Sequence, residues 1–253
     1  MENKEARSVG SLLLKVGTLL MSSGANTNRV RITMQRIANG YNYDADFLIT
    51  HRAIMLTIHK DEKLVFDEVR QAKGLLPNFR VVSGLSKLSW RIVEEKLSIN
   101  KVNEEVIRLQ SLSHYPRILV LAIVALACSS FCRLAGGGFL EMLVVYIGSF
   151  MGLFIKQELG KKKMNAYITV FLSSFSTTLI TGGSAYFFPD SLDKVVYITG
   201  ILYLIPGIPL INSLSDILDG YSLNGGLRAV NGFVISFAIA AGLLLALFIY
   251  NEI

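Results

Sequence analysis

A membrane bundle of about five transmembrane helices, preceded by an N-terminal cytoplasmic α+β domain, is the fold class that two features of the sequence predict. The first is composition: the 253-residue chain has a mean hydropathy of +0.48 and only 17% charged residues, outside the range of ordinary soluble proteins. The second is a split in charge. Residues 1–114 hold 17 Lys/Arg and 12 Asp/Glu, whereas residues 115–253 hold 8 and 7, set apart by apolar runs. The division falls near Tyr115, giving a domain of residues 1–114 and a transmembrane domain of residues 115–253.

In the first domain, Leu12, Leu13, Val16, Leu19 and Leu20 recur at helical spacing and predict an amphipathic helix, too short to span, that stops at Gly24. Asn26 or Thr27 caps a second helix that runs through Val30, Met34 and Ile37 to Gly40. Between Phe47 and Phe66 the period changes to two, as in Ile54, Leu56 and Ile58, with a turn at Asp61-Glu62-Lys63; this predicts a small antiparallel sheet. Helical spacing returns at Val81, Leu85, Leu88 and Ile92, and a polar helix holding Val102, Val106 and Leu109 leads into the membrane.

The net charge of +6 arises mostly in residues 1–114 and suits a domain held beside an anionic leaflet. No basic motif interleaved with aromatics is present, so nucleic acid is not an expected partner. Cys128 and Cys132 lie one turn apart in an apolar run, where cysteine acts as a small hydrophobe, so neither a disulfide framework nor a zinc site is indicated. The N-terminal MENKEARSVG lacks the order of a signal peptide, which places the first domain in the cytoplasm. His51 and His59 flank predicted strands, with Ser22, Ser23 and Thr27 as conceivable nucleophiles. No GxSxG, HExxH or phosphate-loop spacing accompanies them, and no catalytic residue, metal ligand or cofactor is assigned. The run Ser23-Gly24-Ala25-Asn26-Thr27 reads as a helix-to-helix corner with Arg29 on its exposed or membrane-facing side.

The second domain holds uncharged stretches at 118–132, 143–155, 164–189, 195–215 and 229–251. A span needs about 20 mostly apolar residues, so the last three qualify outright. The first two reach spanning length if Arg133 and Glu141 sit at the far interface and snorkel outward, with 134–138 as a tight hairpin. The expected spans are 116–134, 138–156, 164–188, 194–216 and 228–251. Arg117, Lys156, Lys161, Lys162, Lys163 and Arg228 fall on one side and only Arg133 and Lys194 on the other, so the first group marks the cytoplasm and the C-terminus lies outside. An odd span count that ends abruptly suggests half of something larger.

Two spans carry more than a lipid-facing helix requires. In the third, Thr169, Ser173, Thr177 and Thr181 recur every four residues, with Ser184 near the end; such a hydroxyl stripe either glues helices together or lines a pathway. In the fourth, Pro206-Gly207-Ile208-Pro209 falls at mid-span. Each proline lacks an N–H and disrupts the bond to the carbonyl four residues back, on Leu202 and Ile205. Broken backbone in a membrane is buried in protein or lines a wet cavity, a recurring device of transporters. Beyond it, Asn212 and Asp216 share a helical face, followed by Ser213, Asp219, Gly220, Gly225 and Arg228. A half-helix beginning near Pro209 aims its N–H groups at the break and favours a carboxylate ligand. Asp216 could pair with Arg228, bind a proton or sit at the interface.

Together, the corner 23–30 leading into Met34-Gln35-Arg36-Ile37-Ala38, the segments Tyr115-Pro116-Arg117 and Phe131-Cys132-Arg133-Leu134, and the run 206–212 with Asp216, Gly220, Gly225 and Arg228 resemble the threonine/serine exporter family, in particular its short YjjP-type subunit. The likeness covers essentially the whole chain, and the proline-glycine run is its most specific part. It implies secondary export of small carboxylates, threonine and serine for long members and succinate-like dicarboxylates for split ones. It also implies a separate small membrane subunit supplying the second half, with a higher oligomer open. One departure is Arg31, where the family pattern leads one to expect an acid after Val30. Carried onto that motif by physical inference, the substrate-pathway residues are Pro206, Gly207, Pro209, Asn212, Ser213, Asp216, Arg228, Ser173, Thr177 and Thr181, and the cytoplasmic motif is Gly24, Thr27 and Arg29. The alternatives are a membrane-anchored enzyme using His51 or His59, and a regulatory subunit whose first domain senses a metabolite.

Overall fold

The computed structural model describes residues 2–60, 63–74, 77–112, 115–183 and 195–250. The chain divides into two compact units, Met1–His114 with Ile208–Ala229, and Tyr115–Gly207 with Val230–Ile253. The segment 208–229, expected within the bundle, therefore clusters with the N-terminal residues, for reasons that lie in its polar side chains.

In the first unit, α1 (Glu2–Ser22) is followed by α2 (Thr27–Gly40), the strands β1 (Asp44–Ile49), β2 (Ala53–Lys60) and β3 (Lys63–Gln71), then α3 (Phe79–Glu95) and α4 (Ile99–Gln110). The strands form an antiparallel meander in the order β1-β2-β3, with Asp46 opposite Thr57 and Leu56 opposite Glu68. Alternation does what the pleat requires: Ile54, Leu56 and Ile58 are fully buried on one face of β2. That face packs with Val9, Leu12, Leu13, Val16 and Leu20 of α1 and with Val30, Met34 and Ile37 of α2 into one core, which Val81, Leu85, Ile92, Val102 and Val106 complete. Gly10 allows the close approach of α1 to the sheet, since a Cβ there would lie 2.5 Å from the Phe66 ring. The expected turn at Asp61-Glu62 lies outside the described residues.

In the second unit, α5 (Arg117–Leu134), α6 (Phe139–Lys161), α7 (Ala166–Gly183) and α8 (Val195–Gly200) precede a short 3₁₀ turn, Leu202–Leu204. After the break at Ile205-Pro206 come α9 (Gly207–Leu218) and α10 (Ser222–Ile249), so that α10 begins among residues of the first unit and continues into the second. Among the described residues α5, α6 and α10 are long and apolar enough to cross a membrane, and a fourth span results if the interrupted pair Val195–Leu204 and Gly207–Leu218 counts as one. The described residues thus support three to four spans where about five were expected. The shortfall falls on 164–188: α7 is rich in Ser and Thr, and the remainder of that stretch, with Ser184, lies outside the described residues. Lys194 and 251–253 lie outside them too. Exposed Ile118, Ile123, Leu126 and Phe131 on α5, and Phe233, Phe237 and Phe248 on α10, give these helices the outward apolar faces that lipid requires.

Glu141 does not snorkel. It is buried at the first turn of α6, where its carboxylate accepts from the Gly138 N–H and so caps the helix, while Arg133 donates to the Gly137 carbonyl at 3.1 Å. An acid at a helix N-terminus gains from the orphan N–H groups and the helix dipole, which outweighs reaching for water.

Candidate functional site

The corner between α1 and α2 is built by two local signals. Gly24 takes φ +95°, and the Ala25 N–H donates to the Leu20 carbonyl while the Gly24 N–H donates to that of Met21, which closes α1 as a Schellman stop. Asn26 then caps α2, its Oδ1 accepting from the Arg29 N–H at 2.9 Å. The carbonyls of Gly24 and Ala25 find their side-chain donors outside both helices.

The hairpin of α9 and α10 answers that corner. It turns on Gly220 at φ +86°, with the Tyr221 N–H donating to the Asp216 carbonyl at 2.7 Å. Its arms touch because position 225 has no side chain: a Cβ on Gly225 would lie 2.7 Å from the Ser213 carbonyl oxygen and 2.6 Å from Ile217 Cγ1. Ser213 Oγ closes the contact by donating to the Gly225 carbonyl at 2.7 Å.

These two corners meet in a buried polar cluster. Asp216, with no exposed surface, accepts from the Thr27 N–H at 2.8 Å and the Thr27 hydroxyl at 2.9 Å. Arg228 Nε stands 3.0 Å from Asp216 Oδ2, near enough for an ion pair but not directed at it as a hydrogen bond, and Arg228 Nη2 donates to the Ala25 carbonyl at 3.4 Å. Asn212 donates to the Gly24 carbonyl at 2.9 Å. Asn224 donates to the Ile49 carbonyl at 2.9 Å and to Thr27 Oγ1 at 3.3 Å. Of the three arrangements open to Asp216, the structure shows the pair with Arg228. His51 lies within the field of this cluster: burial, then Arg228 and Arg52, hold its pKa below the ordinary imidazole value, against a smaller opposing effect of Asp216.

Gly24 and Thr27 thus join Asn212, Ser213, Asp216 and Arg228 in one place. Arg29 is apart from them, its side chain exposed and its backbone N–H held by Asn26. Asn224 is the member that sequence reasoning missed; its signal was its position just beyond the Gly220 turn, at the start of α10. The conceivable nucleophiles are engaged elsewhere. Ser22 donates to the Thr18 carbonyl, Thr27 to Asp216, and His59 Nδ1 stands 3.7 Å from Asp46.

The remaining predicted residues lie in the second unit. Ser173, Thr177 and Thr181 are buried on α7, each donating to the carbonyl one turn back, and Thr177 also shares a 2.9 Å bond with the Tyr203 hydroxyl. Thr181 and Thr177 face Gly148 and Gly152 of α6, a small-xxx-small pair on which any side chain would strike them. At the break, Ile205 is extended ahead of Pro206, and the carbonyls of Leu202 and Ile205 accept from the N–H groups of Ile205 and Gly207 at 3.2 and 2.8 Å. Pro209 makes no second break, because it sits in the first turn of α9, where its missing N–H is an orphan position anyway.

A chain with several apolar spanning helices and an interrupted one is a polytopic membrane protein with a transporter-like helix break. The threonine/serine exporter family model, ThrE, matches residues 11–250, so the chain belongs to that family. It is similar to the "Probable succinate transporter subunit YjjP" of Escherichia coli (strain K12), 27% identical across 99% of this chain and 98% of that one. It is also similar to the "Threonine/serine exporter" of Corynebacterium glutamicum, 22% identical over 95% of this chain but 51% of that one, and to the "Probable threonine/serine exporter" of Mycobacterium tuberculosis, 22% identical over 97% of this chain and 47% of that one. No solved structure matches the chain significantly. All these relatives carry transport names, which speaks against a catalytic role for His51 or His59.

Proposed function

We propose that the chain is one subunit of a cell-membrane secondary exporter of small carboxylates, threonine and serine or succinate-like dicarboxylates, working with a second small membrane subunit. Its near end-to-end likeness to a named transporter subunit, and its match to about half of the longer exporters, support a partner that supplies the rest. In this reading the basic residues hold residues 1–114 in the cytoplasm and the C-terminus outside.

The observation that carries the reading is the convergence on Asp216. Residues that bear the family likeness, separated by as many as 203 positions, enclose one buried carboxylate on the helix that follows the break. We assign substrate passage to the break at Pro206, Gly207 and Pro209 and to the hydroxyl face Ser173, Thr177 and Thr181, with Asn212, Ser213, Asp216 and Arg228 holding the hairpin that the break releases. Efflux of succinate, threonine and serine from preloaded vesicles containing the chain and its partner tests this. Asn212→Ala and Asp216→Asn are expected to slow efflux, and unchanged rates for all three substrates remove these residues from transport. A second reading makes this chain regulatory, with the pathway in the partner; the internally satisfied hydroxyls of α7 favour it, and efflux by the partner alone would select it.

A further inference from the structure

We propose that Lys156 is the counter-charge for the substrate carboxylate, beside a Tyr203 ring that Thr177 fixes just ahead of the helix break; this rests on the carboxylate-exporter reading above. Lys156, counted with the cytoplasmic basic residues at the end of the expected span 138–156, lies inside α6, which continues to Lys161. It stands on the face that carries Gly148, Ser149 and Gly152, the face packed against α7 and α8. Its side chain is half-buried, and its ammonium lies 6.0 Å from the centre of the Tyr203 ring, at the outer range of a cation–π contact.

No acid offsets this charge among the described residues. Glu158 lies two residues further along, across the helix, and is held by Arg117 at 2.5 Å and Lys161 at 3.0 Å. Glu141 is at the opposite end of α6, roughly 22 Å away at 1.5 Å per residue, and caps its own helix. An ammonium inside a spanning helix is costly and is kept where it meets an ion or a substrate. The Tyr203 ring cannot swing freely, because its hydroxyl is tied to Thr177 Oγ1, which donates in turn to the Ser173 carbonyl. Gly152 leaves the space in which that tie forms, since a Cβ there would overlap both hydroxyls. Thr177 therefore positions Tyr203 as well as lining the hydroxyl face, and Lys156 is the charged group that meets the substrate carboxylate. One fixed cation with three N–H donors suits a single carboxylate, and Tyr203 places it within three residues of Pro206, where the backbone can move.

The test uses full-length chain with its partner subunit in vesicles loaded with succinate, threonine or serine, and parallel thermal unfolding in detergent with succinate as the probe. Lys156→Met is expected to lower efflux about thirtyfold or more, as for truncating one member of a desolvated charge pair, and to abolish stabilisation by succinate. It is also expected to raise the unfolding midpoint without ligand, because a partly desolvated ammonium has been removed, whereas loss of a lysine that holds the fold together would lower it. Lys156→Arg should restore part of the efflux, and Lys162→Met, an exposed neighbour, none of the loss. Normal efflux or retained succinate stabilisation in Lys156→Met overturns the assignment while leaving the exporter reading intact. Absence of efflux and of succinate stabilisation in the unaltered protein overturns both.

Discussion

Asp216 and Lys156 are opposite charges on apolar helices, and the two regions that contain them treat charge differently. Around Asp216, Thr27 supplies two donors and Arg228 a counter-charge, so the acid ties segments far apart in sequence. Around Lys156 the polar groups of α7 bond at short range to carbonyls one turn back, and among the described residues no acid meets the ammonium. A paired charge of the first kind resists change. A solitary one of the second kind invites a mobile partner.

The largest expected effect breaks the paired side of this contrast. Arg228→Met leaves Asp216 buried and uncompensated and should cost about 3–5 kcal/mol of stability, read as a fall in the thermal midpoint of the full chain in detergent. The double variant Asp216→Asn/Arg228→Met should recover most of that fall, whereas equal midpoints for single and double variants would mean the pair does not couple. Next, the same substitution made in both regions should separate them: Thr27→Val removes a bond to a charged group, about 1.5–3 kcal/mol. Thr177→Val removes a hydroxyl contact between membrane helices, about 0.6 kcal/mol. Equal shifts would erase the contrast. Gly225→Ala should cost about 1–3 kcal/mol because its Cβ meets the Ser213 carbonyl, while Gly226→Ala, with open space around it, should be neutral or slightly stabilising on the same assay.

The smallest effect is a pH dependence. His51 has its pKa depressed, so the unfolded chain binds its proton more readily than the folded one. Its contribution is fully present above the unfolded value of about 6.5 and is lost as pH falls through the folded value. Stability should therefore decline on acidification below about pH 6.5, and His51→Gln should flatten that part of the profile.

Local features of the fold were legible in sequence. The Asn26 cap, the Gly24 stop, the alternation of Ile54, Leu56 and Ile58 and the break at Pro206 each depend on a few neighbouring residues, and each occurs where those residues place it. What was illegible depended on distant partners. Nothing near Thr27 announces Asp216, and hydropathy cannot show that 208–229 belongs with the N-terminal residues. At Lys156 a charge marks the end of the expected span 138–156, while α6 continues past it to Lys161. Glu141 was assigned to water because its charge was weighed without the helix end it serves.

The connections of the chain between its two units differ in mechanical kind. At Ile205-Pro206 the backbone is jointed, with its carbonyls satisfied by short-range bonds that rotation can exchange. At Ala229-Val230 it is a strut: α10 runs through without interruption for 28 residues, about 42 Å. Whatever loosens the grip of Thr27 on Asp216 or of Ala25 on Arg228 acts on α9 and on the first turns of α10, which belong to the same unit as Thr27 and Ala25. The Asp216 cluster is thus a catch within one unit, closing the α9–α10 hairpin on the corner between α1 and α2.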